Sequence, residues 1–186
     1  MEMLHQTVRQ LTDAMAEGEF SARELVFACL DRIEAVDTGP AGHNAVLTVN
    51  PEALQIADAR DAERRAGRIR GPLHGIPVLV KDNICTAGPM PTTAGSYAMR
   101  HHYAAEDAEL VRRLRAAGAI LLGKTNMTEW ANYMADGMKN GYSSMGGQVI
   151  CACGPKADAG GSSTGSAAAA ALSLAPLTVG TETCGS

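Results

Sequence analysis

The chain has 186 residues, enough for one domain with a sizeable core. Its 46% hydrophobic and 19% charged residues are those of a globular protein, and an aromatic share of only 4% leaves the core to Ala, Leu, Val and Ile. A net charge of -4, with Lys and Arg interleaved among Asp and Glu, supplies no electrostatic footprint for nucleic acid.

In chain order, Gln6 to Gly18 reads as a helix. Ser21-Ala-Arg-Glu24 is a capping box for a second helix, with Leu25, Cys29, Ile33 and Val36 at helical spacing behind it. Asn50-Pro51 predicts a third, with Asn50 as N-cap, Pro51 in the first turn, and Arg60, Asp61, Glu63, Arg64 and Arg65 as an exposed face. Ile76 to Val80 is a short β-branched run, expected as a buried strand ending in Lys81. Glu106 to Ala117 reads as a helix with Leu110, Val111 and Leu114 inward and Gly118 as its stop. Ala119 to Leu122 is a second strand and Met127 to Met134 a short helix; Ala135 to Gly161 is polar and glycine-rich, hence loop. Ser163 to Leu174 is a helix of small residues, its Ala167–Ala171 run packed on a sheet, and Leu177 to Thr181 a third strand. Alternating strands and helices predict an α/β fold around a mixed, largely parallel sheet with helices on both faces.

The five cysteines, Cys29, Cys85, Cys151, Cys153 and Cys184, are odd in number and irregular in spacing, unlike a disulfide framework. The N-terminus lacks a basic and then apolar leader, and no apolar run reaches the ~18 residues of a membrane span. The expectation is a cytoplasmic, reduced protein that binds no membrane. Cys85 is expected as a small buried hydrophobe.

The chemistry-bearing residues are two serines on glycine-flanked turns and one lysine at a strand end. The turns are Gly160-Gly-Ser-Ser-Thr-Gly-Ser166 and Gly180-Thr-Glu-Thr-Cys-Gly-Ser186; the lysine is in Gly75-Ile-Pro-Val-Leu-Val-Lys-Asp-Asn83. A serine hydroxyl needs a base to become a nucleophile. None of His5, His43, His74, His101 or His102 stands in a setting that suggests a Ser-His-Asp triad, and Gly-x-Ser-x-Gly is absent. A lysine can serve if burial lowers its pKa from ~10.4. By spacing alone, Lys81, Ser162 and Ser186 read equally well as a catalytic set or as ordinary turn residues.

With Thr93-Ala-Gly-Ser96 and Gly118-Ala-Ile-Leu-Leu-Gly-Lys-Thr-Asn-Met127, these stretches resemble the amidase signature family of serine amidohydrolases, in the family's order and over most of the chain. Trp130-Ala-Asn132 and Gly141 to Gln148 look most like its peptide amidase branch. The resemblance implies Lys81 as base, Ser162, held by a cis peptide, as relay and Ser186 as nucleophile. The backbone N–H groups of Thr183, Cys184, Gly185 and Ser186 are the candidate oxyanion hole, with Ser163 as a supporting group and Asp82 read equally well as a supporting acceptor or as a strand-end turn residue. It implies no metal and no organic cofactor, a small-molecule or peptide amide as substrate, and leaves room for a homo-oligomer. The chain departs from the family at Cys184 and Thr164, where glycine is usual, and in length: residues 1–186 correspond to the N-terminal portion of a single amidase signature domain. Other readings are an amidotransferase component that frees ammonia from glutamine for tRNA-linked amidation, and a non-catalytic fragment of the fold.

Two motifs carry blander readings. Gly118 to Thr125 matches the phosphate-loop pattern, but its four intervening residues, Ala-Ile-Leu-Leu, belong in a strand, so Lys124 is expected near the core at a strand end. Cys151 and Cys153 with His101 and His102 lack structural-zinc spacing and read as loop residues. Cys184 as a thiol nucleophile has no evident base.

Overall fold

The computed structural model describes residues 3–182. Helix α1 (Val8–Glu17) is capped by Thr7 and closed by Gly18 in the left-handed conformation. Helix α2 (Ala22–Val36) carries the expected box: the Ser21 hydroxyl accepts from the Glu24 N–H at 3.1 Å and Glu24 accepts from the Ser21 N–H at 2.8 Å.

Strand β1 (Val46–Val49) follows, in a stretch with no strong strand pattern. Helix α3 (Ala53–Arg65) begins later than Asn50-Pro51 suggests. The Asn50 side chain accepts from the Glu52 N–H at 3.0 Å and donates to the Leu121 carbonyl at 2.8 Å, so Asn50 ties a turn to the sheet rather than capping the helix. The expected exposed face of α3 is also corrected. Asp61 is buried, and its two oxygens accept from the Ala22 and Arg23 N–H groups at 2.8 and 3.1 Å. It therefore caps the start of α2 from a different helix. Arg64 is half-buried and donates to the His74 carbonyl at 2.8 Å.

Strand β2 (Pro77–Lys81), helix α4 (Glu109–Ala116) and strand β3 (Ile120–Thr125) form the next unit. Val111 and Leu114 of α4 are buried, but Leu110 is 41% exposed, because an eight-residue helix turns only a narrow stripe to the sheet. Between Met127 and Met134 there is one 3-10 turn, Glu129–Asn132, not a helix. Trp130, Ala131 and Asn132 have φ of 48, 55 and 71°, and the Trp130 N–H is drawn to the Ala94 carbonyl at 3.0 Å. The following loop holds a short hairpin of β4 (Tyr142–Ser143) and β5 (Gly147–Gln148). Helix α5 (Thr164–Ala171) and strand β6 (Leu177–Val179) complete the described chain. Of the alanine run only Ala168 and Ala169 are buried.

The main sheet has the order β1-β3-β2-β6, with β3, β2 and β6 parallel and β1 antiparallel at the edge. One face, through Leu79, Ile120 and Leu122, packs on α1, α2, α3 and α5; the other, through Val78, Val80 and Leu121, packs on α4, Ile84 and Met90. This is the expected mixed sheet with helices on both faces. Every residue of β2 and β3 is buried, so both strands are central, and their carboxyl ends, Lys81 and Thr125, lie side by side. In an open α/β sheet that end is where ligands bind.

Candidate active site

Lys81 is the last residue of β2, 1% exposed, on the α5 side of the sheet. Its ammonium donates to Ser162 Oγ at 2.5 Å, to Ser163 Oγ and Thr181 Oγ1 at 3.0 Å each, and to the Thr181 carbonyl at 3.4 Å. Burial lowers its pKa from 10.5 to about 8, since the charged form loses hydration that these hydroxyls replace only in part.

Ser162 is buried and precedes α5; the Gly161–Ser162 peptide is cis, as the resemblance implies. The Ser162 carbonyl accepts from the Thr128 N–H at 3.0 Å, which fixes the turn against the end of β3. Ser163 does more than accept from Lys81. Its hydroxyl donates to the Thr181 carbonyl at 2.8 Å and accepts from the Thr181 N–H at 3.1 Å, locking the turn before α5 to the segment after β6. A Cβ on Gly180 would sit 2.8 Å from Ser163 Oγ, so only glycine allows the two turns this close. Gly165 plays the same part deeper in, where a Cβ would meet the Asn126 carbonyl at 2.3 Å. Thr164, at a usual glycine position, is accommodated: its hydroxyl donates to the Gly160 carbonyl at 2.9 Å.

Two members of the arrangement carry no role in the sequence reading, Thr181 and Asn83. Thr181 accepts from Lys81 and, at 3.0 Å, from Asn83 Nδ2. Both lie inside the glycine-bearing motifs, but only the folded turn shows that their side chains meet. Asp82 lies on the opposite face from Lys81 and accepts from the Thr93 and Gly95 N–H groups, each at 3.1 Å, and from the Thr93 hydroxyl. Burial raises its pKa despite those donors. Thr183, Cys184, Gly185 and Ser186, the expected oxyanion turn and nucleophile, lie outside the described residues.

A cavity of about 410 Å³ that includes Asn83 in its wall is also lined by Thr93, His102, Met127, Trp130 and Tyr133 among others. Trp130 and Tyr133 are exposed at its rim.

The other motifs are placed elsewhere. Gly118 to Thr125 is a helix end running into β3, and Lys124 is fully buried. Cys85 is half-buried rather than core. Cys29, Cys85, Cys151 and Cys153 are free thiols, and among the described residues no three or more His, Cys, Asp or Glu side chains gather as a metal site. No helix of the described residues is long and apolar enough to cross a membrane.

A buried lysine bonded to a cis-linked serine, at the carboxyl end of a mixed sheet, defines the class, and comparison with known proteins agrees. Residues 24–186 match the family profile described as Amidase, and the chain belongs to that family. It is similar to the native peptide amidase of Stenotrophomonas maltophilia (TM-score 0.84, 49% identity, covering 92% of this chain and 35% of that one). It is also similar to an amidase family protein of Bacillus anthracis (TM-score 0.93, 43% identity, 97% and 36% covered). A glutamyl-tRNA(Gln) amidotransferase chain of Halorhodospira halophila is 45% identical over 185 residues, 98% of this chain and 36% of that one. The chain thus spans about a third of the length of these relatives.

Proposed function

We propose that the protein is a serine amidohydrolase that cleaves a carboxamide to a carboxylate and ammonia through an acyl group on Ser186. The observation that carries this reading is the contact of Lys81 Nζ with Ser162 Oγ inside a buried cluster of hydroxyls. With Lys81 neutral, Ser162 gives its proton to Nζ and takes the proton of Ser186, whose oxygen attacks the amide carbon. The N–H groups of Thr183, Cys184, Gly185 and Ser186 receive the negative oxygen, and losing one such donor typically costs ~10²–10³ in rate. As the C–N bond breaks, the proton returns from Lys81 through Ser162 to the leaving ammonia. Water then repeats the sequence on the acyl group and frees the carboxylate. The cavity at Asn83, with Met127, Trp130 and Tyr133 in its wall, supports an acyl group with apolar character.

A second reading, release of ammonia from glutamine within a tRNA-dependent amidotransferase, is favoured by the 45% identity to the Halorhodospira chain. The test is a fluorophosphonate probe on the complete gene product, read by peptide mass spectrometry, with turnover of peptide amides and of glutamine measured in parallel. One adduct on Ser186, lost with turnover in Ser186→Ala and Lys81→Ala, is expected. Full turnover by Ser186→Ala ends the mechanism, and turnover confined to glutamine selects the second reading.

A further inference from the structure

Lys124 is the largest buried polar group that the proposed chemistry leaves unused. It pairs in register with Val80, whereas Lys81 pairs with Thr125, so the two lysines project to opposite faces of the sheet. The Lys124 ammonium is fully buried and donates to the Ile84 carbonyl at 2.6 Å, to Thr92 Oγ1 at 3.0 Å and to Thr86 Oγ1 at 3.4 Å.

All three acceptors belong to the segment that leaves the proposed base. The chain turns directly after β2, where the Lys81 carbonyl accepts from the Ile84 N–H at 2.9 Å. Lys124 holds the far end of that turn by its Ile84 carbonyl. Asp82, on the same face as Lys124, holds the returning loop at Thr93 and Gly95, and its own N–H is anchored to the Thr125 carbonyl at 3.1 Å. The side chain left pointing forward from the turn is Asn83, which reaches Thr181, the residue that accepts from Lys81.

We propose that Lys124 is a positioning residue: from behind the sheet, with Asp82, it clamps the Lys81–Ile84 turn so that Lys81 and Asn83 converge on Thr181 and the serine pair. Three bonds from one buried ammonium, one to the last carbonyl of the turn and two to hydroxyls of the segment that follows it, are a costly way to fill a core, where an apolar side chain of the same length is often equally stable. By tying the end of the turn behind the base, at Ile84, to the segment that follows it, at Thr86 and Thr92, these bonds assign the ammonium its task. The inference rests on the proposed role of Lys81 for its catalytic half only.

The test is Lys124→Met in the complete gene product, which keeps length and removes every donor, with Thr92→Val as a milder variant that deletes one acceptor. Active enzyme is counted by probe labelling, so loss of folded protein does not enter the rate. Misplacing a reacting group by about 1 Å costs on the order of a hundredfold, so kcat is expected to fall about tenfold to a hundredfold in Lys124→Met with KM within about twofold, and less in Thr92→Val. The pH midpoint of kcat should move as well, which simple destabilisation leaves in place. If Lys124→Met does not fold, Thr92→Val carries the test alone, and unchanged kcat and midpoint in a folded variant overturn the proposal. A crystal structure of whichever variant folds decides the geometry independently of activity. Loss of the Asn83–Thr181 bond supports the clamp, and an unmoved Lys81–Ile84 turn refutes it even if the parent protein hydrolyses no amide.

Discussion

As the proposed base, Lys81 combines two demands that oppose each other: it must be surrounded by acceptors that orient it, yet be poorly enough solvated to lose its proton near neutrality. Burial wins, bringing its pKa to about 8, while Ser162, Ser163 and Thr181 supply acceptors that favour the charged form. In the proposed mechanism the free amine is the active form, so kcat for amide hydrolysis is expected to rise with pH through about 8 and to level off above about 9. Ser163→Ala removes one acceptor of the ammonium, which favours the neutral amine and shifts the rising limb to lower pH. Because the Ser163 hydroxyl also bridges to Thr181, the plateau rate should drop too. A pH–rate profile of both proteins on one amide is the measurement; a flat profile from pH 5 to 10 rules out a lysine base.

Among the elements, the junction of α2 and α3 shows how long-range capping escapes local pattern. Ser21 and Glu24 are three residues apart, and the capping box is legible from sequence. Asp61 lies 39 residues from Ala22 and looks like one charge among five on a solvated helix face. Only packing of α3 on α2 reveals it as the acceptor for two first-turn N–H groups. Asp61→Ala leaves those donors buried without an acceptor and is expected to destabilise the complete gene product by about 1–3 kcal/mol. Asp61→Asn keeps one acceptor oxygen and should lose less. Urea unfolding of the three proteins orders them; equal midpoints for wild type and Asp61→Ala would mean that water or Ser21 satisfies the helix start instead.

For the whole molecule, what was legible and what was not divide along the range of the interactions. The β2 and β3 strands, the left-handed stop at Gly118 and the glycine turns around Ser162 follow from local pattern, and so does the mixed sheet with helices on both faces. Edge strand β1 is only four residues long, shows no strong alternation in burial, and its register shifts between Val46 and Thr48. The 129–132 turn departs from its helical pattern where the Ala94 carbonyl draws the Trp130 N–H away. The partners of the two buried lysines, Lys81 and Lys124, are the least legible feature, since each set is assembled from distant turns. That burial has a consequence for stability. Both lysines have pKa values near 8 in the fold against 10.5 ordinarily, so between those pH values the unfolded chain binds more protons than the native one. Stability then rises with pH across that window and is lowest below it, where the native state must carry both buried charges. The Cys29 thiol, pushed up to about 12 from 9 by burial, acts with the opposite sign above pH 9. The clean interval is therefore pH 8 to 9, where the urea midpoint of the complete gene product is expected to climb. In Lys81→Met/Lys124→Met the climb should largely vanish, because neither side chain titrates. A midpoint that falls between pH 8 and 9 in the wild type would show that both ammonium groups keep their protons and that the hydroxyl and carbonyl acceptors around them replace water in full.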